Sequence, residues 1–196
     1  MLGGLSAHQG QHQLTRFRTQ KTGSLLAFLA LQGGRPVARD ILFEIFWPGN
    51  DLSSARNNLN VALSSLRAQL EAPAAEAGAS PHGTILIADK NTVWLHPEAF
   101  TTDVGIFENA VRLARETDDS PGGWKAAVDA YAGALLPGFY DDWIVEERER
   151  LADLYWEALH ALAVRLIDTH QPEAALDIAH RLAQADPQGE ESHRLL

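Results

Sequence analysis

The spacing of hydrophobic and polar positions predicts short strands and then a helix at the start of the chain. Residues 2–7 and 13–19 flank a polar turn at residues 9–11. The second of these segments alternates with the period of two that is typical of a half-exposed strand. Residues 23–32 carry apolar side chains at helical spacing, and Gly33 follows them, where a glycine often ends a helix.

The next stretch adds two helices and a hairpin. Residues 40–47 form a second predicted helix, which the following Pro-Gly-Asn ends. A third helix is predicted to start near Ser53 and Ser54 as N-cap residues and to run to about residue 71. A loop over 73–83 precedes two strand-like segments around a polar turn, 84–88 and 92–96. Strands, three helices and a hairpin in this order predict an α+β winged helix-turn-helix.

From residue 99 onward the pattern predicts helices alone. Proline and glycine separate segments of helical spacing at residues 104–116, 123–135, 141–169 and 172–184, with a further start at 188. Short connections and small residues are typical of helix-hairpin repeats like those of tetratricopeptide arrays. The sequence thus predicts a winged-helix domain at 1–98 and an all-α domain at 99–196. Because the last helix is cut short, we expect the chain to be a fragment of a longer protein.

The charge of the chain is divided unevenly between these two halves. The net charge is −10 overall, but residues 1–98 hold eight basic and seven acidic side chains. Residues 99–196 hold eight basic and nineteen acidic side chains. The first half can therefore approach a polyanion that the second half repels.

Composition excludes several classes of protein. The chain has no cysteine, which excludes disulfide frameworks, thiolate zinc sites and cysteine nucleophiles. Its longest apolar run, residues 25–31, is far shorter than the roughly 20 residues that span a bilayer. No signal-peptide pattern opens the chain. We expect a cytoplasmic protein with no membrane contact.

The third predicted helix has one core face and one face suited to DNA. Leu59, Leu63, Leu66 and Leu70 share the core face at helical spacing. The opposite face has no acidic residue and no lysine, and it is predicted to read bases in the major groove through Ser53, Ser54, Asn57, Asn60, Val61 and Ser64. Asparagine can pair with adenine, and valine can contact a thymine methyl group. The alternative is that these residues only keep an exposed face soluble.

Residues around this helix are predicted to contact phosphates or the flanks of the DNA site: Arg56, Arg67, Lys90, Asn91 and Arg39. Lys90 and Asn91 lie at the tip of the predicted hairpin, which can enter the adjacent minor groove or meet the backbone. A lysine that only serves an exposed turn is an equally good explanation of Lys90.

Several motifs together resemble the SARP-type family of bacterial transcriptional activators. LLAFLAL at 25–31, RPVARDIL at 35–42, FWP at 46–48 and ARNNLNVALSSLR at 55–67 are similar to the OmpR-type winged helix of that family. The second half is similar to its bacterial transcriptional activator domain (BTAD) through motifs at 102–104, 135–138, 141–151 and 172–176.

This resemblance implies a sequence-specific activator that binds double-stranded promoter DNA through its third helix and recruits RNA polymerase. The weakly basic first half indicates few phosphate contacts, or a second copy of the protein on repeated half-sites. The scarcity of arginine on the base-reading face indicates A·T-rich sites. The alternative function is a protein-interaction module whose winged helix has lost DNA binding and whose helical repeats bind a partner protein.

Other candidate chemistry is less well supported. His160, His170, His180 and His193 lack the i, i+4 spacing of a helical zinc pair. The acidic cluster at 141–149 is better explained as a solvated helix start. No phosphate-binding loop, zinc-protease motif or nucleophile elbow occurs in the sequence. The sequence predicts no metal, no cofactor and no enzymatic activity.

Overall fold

The computed structural model describes residues 1–76, 85–116 and 121–185, and it divides into two compact units. The first unit contains Met1 and Leu5–Thr102, and the second contains Leu2–Gly4 and Asp103–Leu196. The predicted domain boundary at residues 98/99 therefore lies four residues before this division.

The described part of the first unit combines small antiparallel sheets with three α-helices. In chain order its elements are β1 (Ala7–Gln9), β2 (His12–Leu14), α1 (Gln20–Leu31), β3 (Val37–Ala38), α2 (Arg39–Phe46), α3 (Leu52–Glu76), β4 (Leu86–Ala88), β5 (Thr92–Leu95) and a short 3-10 helix (Pro97–Ala99). β1 and β2 pair with each other, and β5 lies between β3 and β4 in a three-stranded sheet. This is the predicted order of strands, helices and hairpin.

The core of the first unit is the leucine stripe of α3 packed against α1 and α2. Leu59 and Leu66 are fully buried and Leu63 almost so, while Leu70 is half-buried. Phe46 from α2 is also fully buried, with its ring 5.7 Å from that of Phe28 in an edge-on arrangement. Burial of each such side chain stabilises the folded state by roughly 1.5–3 kcal/mol. The leucine stripe therefore determines which face of α3 remains in solvent.

Several predicted boundaries in this unit were wrong. The strands predicted at 2–7 and 13–19 lie instead at Ala7–Gln9 and His12–Leu14, so the first shares only Ala7 with its prediction. The second cannot extend to residue 19, because α1 begins at Gln20, where the Thr19 hydroxyl accepts a hydrogen bond from the Thr22 N–H. Helix α3 continues to Glu76, past the predicted loop start at residue 73, and the alanines in this stretch favour helix. The rest of that loop and residue 84 lie outside the described residues.

The described part of the second unit contains four helices, each packed on the next in sequence. They are α4 (Asp103–Glu116), α5 (Pro121–Ala130), α6 (Asp142–Asp168) and α7 (Pro172–Ala185). The helix start predicted at residue 188 lies outside the described residues. None of the helices in the described part of the chain is both long and apolar enough to cross a membrane.

The connection between α5 and α6 is a loop with two buried leucines, where the sequence predicted helix up to residue 135. α5 ends at Ala130, and Leu135 and Leu136 are both fully buried in the loop. Leu2 forms a β-bridge with Leu135, and the side chain of Arg148 donates to three loop carbonyls. Because these partners satisfy the loop backbone, the buried segment does not need helical hydrogen bonds.

Candidate nucleic-acid interface

The face of α3 that is predicted to read bases lies entirely in solvent. Ser53, Ser54, Asn57, Asn60, Val61 and Ser64 are all exposed, opposite the leucine stripe. Val61 is 47% exposed, although it is an aliphatic residue. The structure therefore leaves this surface accessible to a ligand, and it carries only neutral side chains.

The amino-terminal end of α3 is capped by Asp51, a residue that the sequence analysis missed. The carboxylate accepts hydrogen bonds from the backbone N–H and the hydroxyl of both Ser53 and Ser54. These bonds, led by the hydroxyl of Ser53, hold the pKa of Asp51 far below its ordinary value. The prediction of Ser53 and Ser54 as N-cap residues was therefore wrong. Aspartate caps helices as well as serine does. The sequence therefore contained the signal for the correct cap, Asp51, two residues before Ser53.

The Asp51 cap changes what the two serines can offer to a base. Their hydroxyl hydrogens are both donated to the carboxylate, so only oxygen lone pairs remain for a further partner. Ser53 and Ser54 can accept from an amino group of cytosine or adenine, and they cannot donate to guanine while the cap is intact.

Arg39 connects the β4–β5 hairpin to α3. Its Nε donates to the carbonyl of Asp89 at 3.0 Å, and its Nη1 donates to Oδ1 of Asn60 at 3.1 Å. Its backbone N–H also donates to the carbonyl of Asn91. The guanidinium thus holds the Asn60 amide in one orientation. A phosphate contact by Arg39, expected from the sequence, stays a prediction.

The tip of the hairpin is ordered by a single carboxylate. Asp89 accepts from the backbone N–H groups of Asn91 and Thr92, each at 2.7 Å, and from the Thr92 hydroxyl. The N–H of Thr92, followed by that of Asn91, lowers the pKa of Asp89. Lys90 is left exposed at the tip of this turn, next to the exposed Asn91.

The two remaining predicted contacts lie on the flank of α3. Arg56 is exposed and Arg67 is half-buried. Neither makes a hydrogen bond or an ion pair with another described residue, so both guanidinium groups can reach a ligand. The structure thus brings Arg39, Asn60 and Asn91 together and leaves Arg56 and Arg67 separate from that network.

Metal chemistry has no support in the described part of the chain, which holds no group of three or more potential metal-ligating side chains. The ring of His160 stacks on Trp156, with centroids 5.3 Å apart, which is a packing role. His193 lies outside the described residues.

Comparison with known proteins finds one family model that matches part of the first unit. Residues 16–78 match the family model described as "Transcriptional regulatory protein, C terminal". This segment is similar to an OmpR-type winged helix. The match spans α1, α2 and α3, including every predicted base-reading residue, and it ends before the β4–β5 hairpin. A search among curated proteins found no match.

The fold of the whole chain is similar to that of a solved regulator structure. The chain aligns over its full length with Mycobacterium tuberculosis EmbR, solved in complex with a low-affinity phosphopeptide, at a TM-score of 0.79 and 24% identity. It covers 52% of the EmbR chain, so it spans about half the length of that protein. This likeness confirms the predicted fold, a winged helix followed by a helical region. The assignment of the second unit to BTAD and to tetratricopeptide-like repeats stays a prediction.

Proposed function

We propose that this chain is a sequence-specific DNA-binding transcriptional activator, or the DNA-binding part of one, which acts in the cytoplasm. Helix α3 enters the major groove of promoter DNA, and the β4–β5 hairpin contacts the backbone or the adjacent minor groove through Lys90 and Asn91. The observation that carries the proposal is the exposed, neutral face of α3 on an OmpR-type winged helix. A face without carboxylates can approach phosphates without repulsion.

We propose different tasks for the residues of this face. Asn57 is exposed and can form two hydrogen bonds with one adenine, while Val61 can contact a thymine methyl group. Asn60 presents an amide that Arg39 already orients, so it reaches the groove in a fixed rotamer. Arg56 and Arg67 supply charge on the flank. The combination favours A·T-rich sites over G·C-rich sites.

For the second unit we propose a contact with RNA polymerase, as the resemblance to SARP-type activators implies. One solvent face of α6 carries Asp142, Glu146, Glu149 and Asp153, spaced four, three and four residues apart, and all are exposed. None of them pairs with another described residue. Such a face repels DNA phosphates and is complementary to a basic protein surface.

Selection from a random DNA duplex library tests the DNA-binding proposal. We expect an enriched A·T-rich motif whose affinity falls with salt at a slope that corresponds to several phosphate contacts. Two enriched half-sites at a fixed spacing would indicate a second copy on the DNA. If no motif is enriched and binding is weak at all salt concentrations, the protein-interaction module becomes the better explanation.

The duplex enriched in this selection, placed upstream of a core promoter, tests whether the protein activates transcription. With RNA polymerase present, the protein is expected to increase the amount of transcript from this template and not from one with a scrambled motif. Unchanged transcription, with binding to the motif retained, would contradict the role of activator and leave that of a DNA-binding protein.

A further inference from the structure

A crevice lies beside the base-reading face, between the amino-terminal end of α1 and one flank of α3. Its volume is about 360 Å³, and its lining includes Arg18, Lys21, Trp47, Asn58, Val61 and Ser65. The three α3 residues among these are spaced three and four positions apart, so they form one stripe along the helix. Val61 belongs both to this stripe and to the base-reading face, so the crevice and that face are continuous.

Two basic side chains give the crevice its charge. The ammonium group of Lys21 donates to the carbonyl of Phe46 and lies 5.8 Å from the ring centroid of Trp47, so it is held in place. Arg18 is exposed and makes no hydrogen bond or ion pair with another described residue. No acidic side chain is among the described residues that line the crevice. The site is therefore electropositive, with an apolar wall from Trp47 and Val61.

We infer that this crevice holds the sugar–phosphate backbone of one DNA strand when α3 lies in the major groove. The inference rests on the proposed function. A helix about 10 Å wide nearly fills a major groove about 12 Å wide, so a backbone strand runs along each flank of the helix. On the flank next to Val61, that strand meets the crevice. Arg18 and Lys21 neutralise its phosphate, and Trp47 and Val61 contact the sugar.

Arg18→Gln, compared with Arg35→Gln, tests this inference on the duplex selected above. Both side chains are exposed and both substitutions remove one positive charge. Arg35 follows the carboxyl-terminal end of α1, whereas Arg18 precedes its amino-terminal end. For Arg18→Gln we expect affinity to fall about fivefold at 0.15 M salt and the slope of log K on log salt to become shallower by about 0.9. Arg35→Gln should change neither quantity, and neither variant should change the selected motif.

Neutral methylphosphonate groups, placed at each phosphate of the duplex in turn, locate the contact. At one position beside the α3 site, the substitution should weaken binding of the unmodified protein about fivefold and should weaken binding of Arg18→Gln less, because only Lys21 then remains on that phosphate. Non-additive effects of the two changes at one phosphate indicate a direct contact there. A general loss of positive charge would instead lower affinity by the same factor whichever phosphate is neutralised.

Two results would overturn the inference. Equal effects of Arg18→Gln and Arg35→Gln, with additivity at every phosphate, would mean that the crevice holds no backbone, while the proposed function would stand. Absence of any selected motif for the unmodified protein would remove the proposed function and this inference together.

Discussion

Replacing Asn57 and Arg67 together by alanine is expected to lower affinity for the selected duplex by about 4 kcal/mol, which corresponds to roughly a thousandfold. Asn57 lies at the centre of the exposed face of α3, and Arg67 lies on its flank with no bond to another described residue. Asn57 can make a two-pronged contact with a base edge, and Arg67 can reach a phosphate or a guanine on the flank of the site. Binding to unrelated DNA should change much less, since it depends on phosphate contacts.

Titrations with the selected and with a scrambled duplex measure this effect. The control variant is Asn109→Ala with Arg112→Ala, which removes the same two residue types from an exposed part of α4 in the second unit. The folded state should survive in both variants, because alanine favours helix and the replaced side chains are not in the core. If the Asn57 and Arg67 variant keeps its preference for the selected duplex, α3 is not the base-reading helix.

Replacing Arg148 by methionine is expected to destabilise the second unit by about 4 kcal/mol. Its guanidinium donates to the carbonyls of Leu135, Leu136 and Phe139, at 2.9, 3.0 and 3.0 Å. These carbonyls belong to the loop that carries the fully buried Leu135 and Leu136. Leu136 also has a φ of 46°, a strained conformation for a branched side chain, so this loop depends on the contacts around it.

Urea denaturation, monitored by hydrogen exchange of individual peptides, measures the change in stability of each unit separately. For Arg148→Met we expect the α5 and α6 peptides to lose protection at about 2 M lower urea, while the α1 and α3 peptides keep theirs. Arg150→Met is the matched control on the same helix, since Arg150 makes exposed ion pairs with Glu108 and Glu147. Its loss should cost about 1 kcal/mol or less. Equal effects of the two variants would show that the loop does not depend on Arg148.

Part of the interface could be predicted because it depends on local periodicity. The spacing of Leu59, Leu63 and Leu66 determines which face of α3 is buried, and the structure places these side chains in the core. Once that face is fixed, Asn57 and Val61 must lie on the other side of the helix. The segments around Asp89 likewise specified a hairpin, since alternating apolar positions and a polar turn are features of neighbouring residues.

The contacts that orient and charge the site could not be predicted in the same way. Arg39 and Asn60 are 21 residues apart, and Arg39 and Asp89 are 50 apart. The crevice needs Lys21 from one helix and Ser65 from another. Periodicity describes one element at a time and gives no distance between elements. The sequence therefore predicted Arg39 as a phosphate contact and did not assign the crevice.

The sequence by itself determined the order of elements, the buried and exposed faces of α3, and the opposite charges of the two halves. These properties follow from residue type and from spacing within one element. Only the tertiary structure decided that α5 ends at Ala130 and that Arg148 supports the loop that carries Leu135 and Leu136. Here a local preference for helix competes with hydrogen-bond partners that folding brings close, and the partners prevail because a buried polar group without one is costly.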